Sequence, residues 1–395
     1  MPLPDRVRLV VLFGGRSAEH DISRISASHV LRAVDPARYE VVPVAITRQG
    51  GWALAEQAAE LIGRGLQAEL PASLSIDGPD IDPLATLTER PLGEDAGRPT
   101  TTTVVMPILH GPNGEDGTVQ GLLEMADLPY VGAGVLGSAV AMDKVMAKTV
   151  LDAEGIAQPK WRGVRAVRLR DADVGGRSAL ADRLLGELGD TVFVKPANMG
   201  SSIGVSRATG AEGLLAALDV AFQYDDLAVV EEAVAARELE IGILGNDCPR
   251  ASVVGEIIPG AEFYDYEDKY SNGAARTVIP ADLDPALAAE IRSLAERTFL
   301  ALRAEGMARV DVFLEEGTPD APGRGILVNE INTIPGFTPI SMYPMLWQES
   351  GLSYSELIDE LVALALDRHA RRSGHRTDVR SRARNTPQET TGGDS

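Results

Sequence analysis

The sequence is poor in several features that mark particular classes of protein. Its one cysteine, Cys248, excludes an intramolecular disulfide and is typical of a reducing compartment. Lys and Arg number 37 against 58 Asp and Glu, and the net charge of −21 disfavours a nucleic-acid or anionic-membrane partner. No apolar run is long enough to cross a bilayer, and residues 7–13 are too short for a signal peptide and include Arg8. We therefore expect a cytoplasmic protein.

The length of 395 residues and the hydrophobic content of 44% predict two or three domains with sizeable cores. Residues 371–395 differ from the rest, because they hold six Arg against two Asp and one Glu and almost no large apolar side chains. We predict that this segment is a disordered tail.

Two common nucleotide-binding motifs are absent. The apolar run 7–13 is followed by Gly14 and Gly15 and then by a helical pattern over 17–34, but the glycines lack the spacing of a dinucleotide fingerprint. No P-loop occurs either. The strand, glycine turn, helix and second strand over 39–46 predict a parallel α/β opening. Glu19 lies next to the glycine turn, at a strand end where ligands bind in such sheets.

The most informative stretch is 309–341. Arg309 and Asp311 alternate with valines, so they face one side of a strand, and Glu330 and Asn332 do the same in a second run. The Gly- and Pro-rich residues 317–325 predict the turn between them. If the strands pair, three oxygen ligands converge, which suits Mg²⁺ bridged to phosphates. An ordinary hairpin with a solvated acidic face is the alternative.

Other stretches indicate a phosphate site. Lys195 ends a predicted strand over 191–196, and a glycine-serine loop over 198–205 follows, where small residues let backbone amides approach a phosphate. A strand over 227–232 ends in two carboxylates, an arrangement suited to adenine and ribose. Predicted helices cover 139–155, which carries Lys144 and Lys148, and 285–305 and 353–369. Residues 256–280, rich in tyrosine and charge, are typical of a lid that excludes water.

Seven motifs in order resemble the D-alanine:D-alanine ligase family. They are LFGGRSAEHDIS, HGPNGEDGTVQG, MDK, VKPANMGSSIGV, YDYEDKY, RVDVF and NEINTIPGFTPIS. The resemblance covers almost everything except the tail. It implies an α/β (α+β) ATP-grasp fold: an N-terminal Rossmann-like α/β domain over 1–139, a central domain over 140–233, and a C-terminal catalytic domain over 234–370 with the lid at 256–280.

The resemblance also implies roles for individual residues. ATP would contact Lys144, Lys195, Ser201, Ser202, Glu231, Val234, Glu238 and Lys269. Two Mg²⁺ or Mn²⁺ ions would bind Asp311, Glu330 and Asn332, and K⁺ is a further candidate ion. The first D-alanine would meet Glu19 and His110, and the second would meet Ser341 and Met342. Arg309 and the Gly336 amide would form the oxyanion site, and Tyr270, Ser201 and Glu19 a hydrogen-bonded path.

The resemblance implies ATP-dependent formation of D-alanyl-D-alanine through an acylphosphate, for peptidoglycan synthesis. It also implies that the enzyme is a homodimer and that its substrates are small molecules. One departure is Glu232–Ala233, where many relatives carry lysine and then an aromatic or apolar residue. Three alternatives remain open. A D-alanine:D-lactate ligase is disfavoured by the YDYEDKY motif, and a regulatory protein without turnover is disfavoured by the full metal and oxyanion set. The third is another ATP-grasp amino-acid ligase.

Overall fold

The computed structural model describes residues 3–88, 102–258, 276–318, 321–338 and 340–375. They form three sheets with helices packed against them. Each sheet comes from one stretch of the chain. The predicted domain boundaries themselves remain a prediction.

The first sheet is built on a strand that is buried along its whole length, Val7–Gly14. Its parallel neighbours pair on either side, and a short antiparallel strand closes one edge, in the order β3-β2-β1-β4. The parallel α/β opening predicted from residues 7–46 is therefore confirmed. The strands are β1 (Val7–Gly14), β2 (Tyr39–Ile46), β3 (Trp52–Leu54) and β4 (Thr102–Ile108). The helices are α1 (His20–Ala33), α2 (Glu56–Gly63), α3 (Pro83–Thr88), α4 (Thr118–Met125) and α5 (Val135–Met142), with a 3₁₀ turn at Gln67–Glu69.

The second sheet is antiparallel and has the order β5-β8-β6-β7. Its strands are β5 (Trp161–Arg165), β6 (Thr191–Pro196), β7 (Ser206–Thr209) and β8 (Leu227–Glu232). The helices of this region are α6 (Lys144–Ala153), α7 (Ala166–Arg170), α8 (Val174–Leu188) and α9 (Gly210–Ala221). Alternation along β6 buries Val192 and Val194 in this sheet's core and leaves Phe193 and Lys195 on the opposite face. That face lines the site described below.

The third sheet is also antiparallel, with the order β11-β10-β9-β12-β13. Its strands are β9 (Arg237–Gly245), β10 (Arg250–Ile258), β11 (Arg276–Val278), β12 (Gly306–Thr318) and β13 (Ala321–Asn332). The helices are α10 (Pro285–Ala301), α11 (Met342–Glu349) and α12 (Tyr354–Ser373).

The last helix, α12, joins the first sheet to the third. Its apolar residues share one core with β1, β4 and the β9 and β12 residues Leu244 and Met307. Arg368, which is buried, donates hydrogen bonds to the carbonyls of Gly132 (2.6 Å) and Tyr130 (2.9 Å). These contacts fix the relative position of two of the walls that surround the site.

Several predicted boundaries were wrong for local reasons. The helix predicted over 139–155 is two helices, because Asp143 is extended and its carboxylate caps α6 by accepting from the Met146 amide. The turn predicted over 317–325 is shorter, since β12 runs to Thr318 and β13 starts at Ala321. Helix α10 ends at Ala301, short of 305.

The predicted tail begins within α12. This helix continues to Ser373, because Arg371 pairs with Glu305 and Asp247, and Arg372 pairs with Glu124. Residues 376–395 lie outside the described residues. Among the described helices, none combines the length and the apolar character that a bilayer crossing requires.

Candidate active site

The β12–β13 hairpin places the predicted polar residues opposite one another. Arg309 pairs with Asn332 and Asp311 with Glu330 in the strand register, as the alternation predicted. The Arg309 guanidinium donates two 2.7 Å hydrogen bonds to Asp311 and lies 3.1 Å from a carboxylate oxygen of Glu240 on β9. Burial alone would lower the pKa of Arg309, but Asp311 and Glu240 hold that pKa well above its ordinary value. The guanidinium is therefore a fixed positive charge.

The candidate metal ligands supply part of the coordination sphere of a hard cation. Asp311 and Glu330 supply carboxylates, and the side-chain amide of Asn332 lies 3.1 Å from Asp311. No group of three or more His, Cys, Asp or Glu side chains suitable for a metal occurs in the described part of the chain. Two carboxylates and one amide suit Mg²⁺, which completes its octahedron with waters and substrate phosphates.

A cavity of about 350 Å³ lies between the second and third sheets. The predicted nucleotide residues in the described chain all line it: Lys144, Lys195, Ser201, Ser202, Glu231, Val234 and Glu238. The predicted metal ligands and Arg309 line it as well. Lys269 lies outside the described residues. The structure thus brings together two lysines, two serines and the candidate metal carboxylates around one space.

The lysines of this cavity reach across it. Lys195 lies 2.8 Å from Glu231 and donates a 3.3 Å hydrogen bond to Asn329 of β13. Lys144 donates a 2.6 Å hydrogen bond to the Met199 carbonyl and lies 3.8 Å from Glu330. Both ammonium groups therefore stand where phosphates between the two sheets would meet them.

The glycine-serine loop has an unusual backbone. Ser201 and Ser202 adopt left-handed conformations, with φ of 50° and 59°. Non-glycine residues with left-handed φ values carry backbone strain, and such strain is concentrated at ligand sites. Successive backbone amides in turns of this kind form anion-binding concavities. This geometry supports the prediction of a phosphate loop.

A second cavity, of about 120 Å³, adjoins the first. The predicted substrate and oxyanion residues line it: Glu19, His110, Ser201, Arg309, Gly336, Ser341 and Met342. Ser201, Arg309, Glu330 and Asn332 line both cavities. Tyr270 lies outside the described residues. Arg309 therefore stands where the two spaces meet.

Glu19 is the acidic group of the second cavity. It occupies the N-cap position of α1 without a side-chain capping hydrogen bond, and it accepts a hydrogen bond from the Ser201 hydroxyl. Two glycines permit the close approach of its Oε2 atom, because a Cβ built on Gly111 or Gly200 would lie 2.6 or 2.8 Å from that oxygen. A buried carboxylate in a tight cradle suits a small ammonium ligand.

His110 is a buried link rather than a proton carrier. Its Nδ1 lies 3.0 Å from the Ile334 carbonyl, so Nδ1 carries the proton, and Nε2 accepts from the Ser26 hydroxyl at 3.2 Å. The same hydroxyl accepts from the Phe337 amide at 3.4 Å. Burial lowers the pKa of His110 although Glu19 opposes the shift, so the ring is neutral. His110 thus fastens the 334–337 loop, which carries the Gly336 amide, to α1.

The second cavity ends at Ser341 and Met342. The Ser341 hydroxyl accepts from the Thr338 amide at 3.0 Å, and a Cβ on Gly336 would lie 2.7 Å from it. Met342 begins α11 and packs on Ile257 and Leu346. The Ser341 hydroxyl and the Met342 side chain therefore form a polar and an apolar part of the wall of this small cavity.

Sequence reasoning missed Glu115. Its two oxygens accept from the Gly111 amide (2.7 Å) and the Ile334 amide (3.0 Å), so it joins the same two loops as His110. Burial, and then the Glu19 carboxylate, raises the pKa of Glu115 to about 8. The sequence signal that points to Glu115 is its place in the turn after β4, close to His110. Glu240, the partner of Arg309, is a second site residue that sequence reasoning did not predict.

Comparison with known proteins gives two matching family models. The first, described as D-ala D-ala ligase N-terminus, matches residues 8–133, and the second, D-ala D-ala ligase C-terminus, matches residues 150–363. A D-alanine–D-alanine ligase of Geobacillus thermodenitrificans is 44% identical over 367 residues, which cover 92% of this chain and 96% of that protein. One from Listeria monocytogenes is 42% identical over 374 residues, with 92% and 97% coverage.

Solved structures give the same picture. The D-alanine-D-alanine ligase from Coxiella burnetii superposes with a TM-score of 0.71 at 35% identity, covering 94% of this chain and 97% of that one. The VanG D-Ala:D-Ser ligase from Enterococcus faecalis superposes with a TM-score of 0.72 at 32% identity, with 91% and 99% coverage.

Proposed function

Because this chain belongs to the D-alanine:D-alanine ligase family, we propose that its two adjoining cavities divide one reaction between them. The chain has the ATP-grasp fold and is an ATP-dependent ligase that joins two D-alanine molecules. The observation that carries the assignment of residues is the position of Arg309, which lines both cavities. We assign ATP to the larger cavity and the two D-alanines to the smaller one.

In the larger cavity, Lys144 and Lys195 bind the ATP phosphates, and the amides and hydroxyls of Ser201 and Ser202 cover the γ-phosphate. Glu231, Val234 and Glu238 hold adenine and ribose. One buried carboxylate supports this arrangement: Glu231 is buried and lines this cavity, where a carboxylate oxygen suits an incoming N–H donor such as the adenine amine.

Asp311, Glu330 and Asn332 would hold two Mg²⁺ or Mn²⁺ ions against the phosphates. When bound, such ions neutralise charge on the transferring phosphoryl group. The residues of this chain add positive charge from Lys144, which lies 3.8 Å from Glu330, and from Lys195. A role for K⁺ remains an expectation of the family resemblance.

In the smaller cavity, Glu19 binds the ammonium of the first D-alanine, and His110 and Glu115 hold the loops around it. The carboxylate of this D-alanine attacks the γ-phosphate, which gives an acylphosphate and ADP. The amine of the second D-alanine, positioned by Ser341 and Met342, then attacks the acyl carbon. Ser201 donates a hydrogen bond to Glu19 beside it, and Tyr270 of the predicted lid would complete this path, as the family resemblance implies.

Arg309 and the Gly336 amide stabilise the oxyanion that forms in this second step. The guanidinium needs little reorganisation, because Asp311 and Glu240 already fix it. Collapse of the tetrahedral intermediate releases phosphate and leaves D-alanyl-D-alanine. The predicted lid, by closing, would protect the acylphosphate from water.

We also infer the setting of the reaction from the family. The dipeptide serves peptidoglycan precursor synthesis, and the reaction takes place in the cytoplasm, where ATP is available. A homodimer is expected. Met125, which is 90% exposed at the end of α4, and Leu136, which is exposed near the start of α5, are apolar side chains that such a contact would cover.

The direct test is product identification. Purified protein with ATP and Mg²⁺ is given D-alanine alone, and then D-alanine with equal D-serine or D-lactate, and the products are identified by mass. D-alanyl-D-alanine as the main product in every mixture is the expected result. A predominant D-alanyl-D-serine or D-alanyl-D-lactate would keep the fold and reject the substrate assignment, and no product would reject ligation.

A further inference from the structure

The chain contains five lysines: Lys144, Lys148, Lys160, Lys195 and Lys269. Three of them, Lys144, Lys195 and Lys269, are assigned to ATP, and Lys160 is exposed. Lys148 is neither assigned to ATP nor exposed. It lies one helical turn after Lys144 on α6, is 2% exposed, and does not line the nucleotide cavity. An ammonium group buried this deeply needs a compensating partner.

The partner of Lys148 is Glu231. The Lys148 ammonium lies 3.0 Å from Glu231 Oε1, and Lys195 lies 2.8 Å from Oε2 of the same carboxylate. Burial alone would raise the pKa of Glu231, but the two ammonium groups hold it at about 2. One carboxylate is therefore shared by a lysine that faces the nucleotide and a lysine that stands behind the cavity wall.

Lys148 also touches the opposite sheet. Its ammonium lies 3.5 Å from the Asn329 carbonyl on β13. Asn329 is the bulged residue of β13: the β12–β13 register shifts between Val328 and Glu330, so Asn329 has no residue of β12 directly opposite it. The Lys148 ammonium thus links Glu231 of β8, the carboxylate assigned to adenine, to β13, which carries the candidate metal ligands Glu330 and Asn332.

The shared carboxylate has a consequence for Lys195. A phosphate that draws Lys195 away from Glu231 would leave a buried carboxylate uncompensated unless a second cation stayed beside it. Lys148 is that cation. Without it, Glu231 would hold Lys195 more tightly and would lose the support that aims its carboxylate at the adenine amine.

We propose that Lys148 is a positioning residue of the nucleotide site, which orients Glu231 for the adenine amine and releases Lys195 to the phosphates. This inference rests on the proposed assignment of ATP to the larger cavity. Lys148 does not itself contact ATP, so its removal acts on ATP binding through Glu231 and leaves the D-alanine cavity intact.

The test compares Lys148→Met with Lys160→Met, a control at an exposed lysine. Steady-state kinetics are measured with ATP and with inosine triphosphate, which has an oxo group in place of the adenine amine. We expect Lys148→Met to raise KM for ATP at least about 10-fold and to reduce the preference for ATP over inosine triphosphate. KM for D-alanine should stay within about 2-fold, and Lys160→Met should match the wild type. An unchanged KM for ATP in a folded Lys148→Met protein would overturn the inference.

A double-mutant cycle separates positioning from general damage and remains decisive if Lys148→Met alone does not fold. Glu231→Gln is compared with Glu231→Gln/Lys148→Met, in which both buried charges are removed together. We expect the two to have the same KM for ATP within about 3-fold, because Lys148 acts through Glu231. A further rise of about 10-fold on adding Lys148→Met would contradict this. Absence of dipeptide synthesis by the wild type would instead reject the proposed function.

Discussion

The two cavities are built by different physical means. The nucleotide cavity is held by ion pairs between charged side chains, Lys195 of β6 with Glu231 of β8 and Lys144 of α6 with Glu330 of β13. The D-alanine cavity is held by side chains that bind backbone groups, as Glu115 does with two amides and His110 with a carbonyl. The first arrangement can exchange partners when charged phosphates arrive. The second fixes a small rigid pocket, which suits selection of a small amino acid.

Arg309 belongs to both cavities, so its loss should have the largest effect. Arg309→Ala should lower kcat about 100-fold or more, because an oxyanion donor is removed. KM for ATP should change much less. Steady-state kinetics would show this, with the exposed Arg162→Ala as the matched control. A near-normal kcat in Arg309→Ala would remove this residue from the oxyanion site.

The nucleotide cavity should carry an acid-sensitive contribution to stability. The folded-state pKa of Glu231 is about 2, below its ordinary 4.5, so its contribution is present above pH 4.5 and is lost as pH falls through about 2. The difference amounts to about 3 kcal/mol in the free energy of unfolding. Thermal unfolding from pH 6 to pH 3 should therefore show a steeper fall in Tm for the wild type than for Glu231→Gln. Parallel curves would contradict the ion-pair account.

The D-alanine cavity should respond to one added methyl group. In Gly111→Ala the new Cβ would meet Glu19 Oε2 at 2.6 Å, so we expect KM for D-alanine to rise about 10-fold with little change in KM for ATP. Gly65→Ala is the control, because its φ of +72° matches the +76° of Gly111 but a Cβ there meets nothing within 4 Å. Equal kinetic effects in the two variants would show that backbone strain, not the Glu19 cradle, is responsible.

The smallest expected effect concerns the link behind the oxyanion loop. Ser26→Ala removes the hydroxyl that donates to His110 and accepts from the Phe337 amide. We expect a loss of about 1 to 3 kcal/mol in the free energy of unfolding, since two buried groups lose their partner, and a fall in kcat of only a few fold. Denaturant unfolding and kinetics on the same preparation measure both. A loss of kcat as large as that of Arg309→Ala would mean that Ser26 acts directly on the reaction.

Sequence patterns predicted the parts of the site that lie on strands. The period of two placed Arg309 and Asp311 on one face, and the strands over 39–46, 191–196 and 227–232 were found with the predicted limits. The break at Asp143 was missed, because apolar periodicity continues through it and only the cap geometry shows that a new helix begins.

The roles of Lys148 and Glu115 could not be predicted for a different reason. Lys148 stands in a helix beside Lys144 and looks like a solvated side chain until the fold brings Glu231 against it. Glu115 lies in a turn, and its second partner, the Ile334 amide, is more than two hundred residues away in the chain. Both residues act through tertiary contacts that leave no local spacing in the sequence.

The most direct test of the account follows oxygen from substrate to product. D-alanine labelled with ¹⁸O in both carboxylate oxygens is turned over with ATP and Mg²⁺, and the released phosphate and dipeptide are examined by mass spectrometry. Attack of the carboxylate on the γ-phosphate predicts one ¹⁸O in each phosphate and one in each new peptide carbonyl. Phosphate free of ¹⁸O alongside dipeptide would contradict the acylphosphate route through the joined cavities.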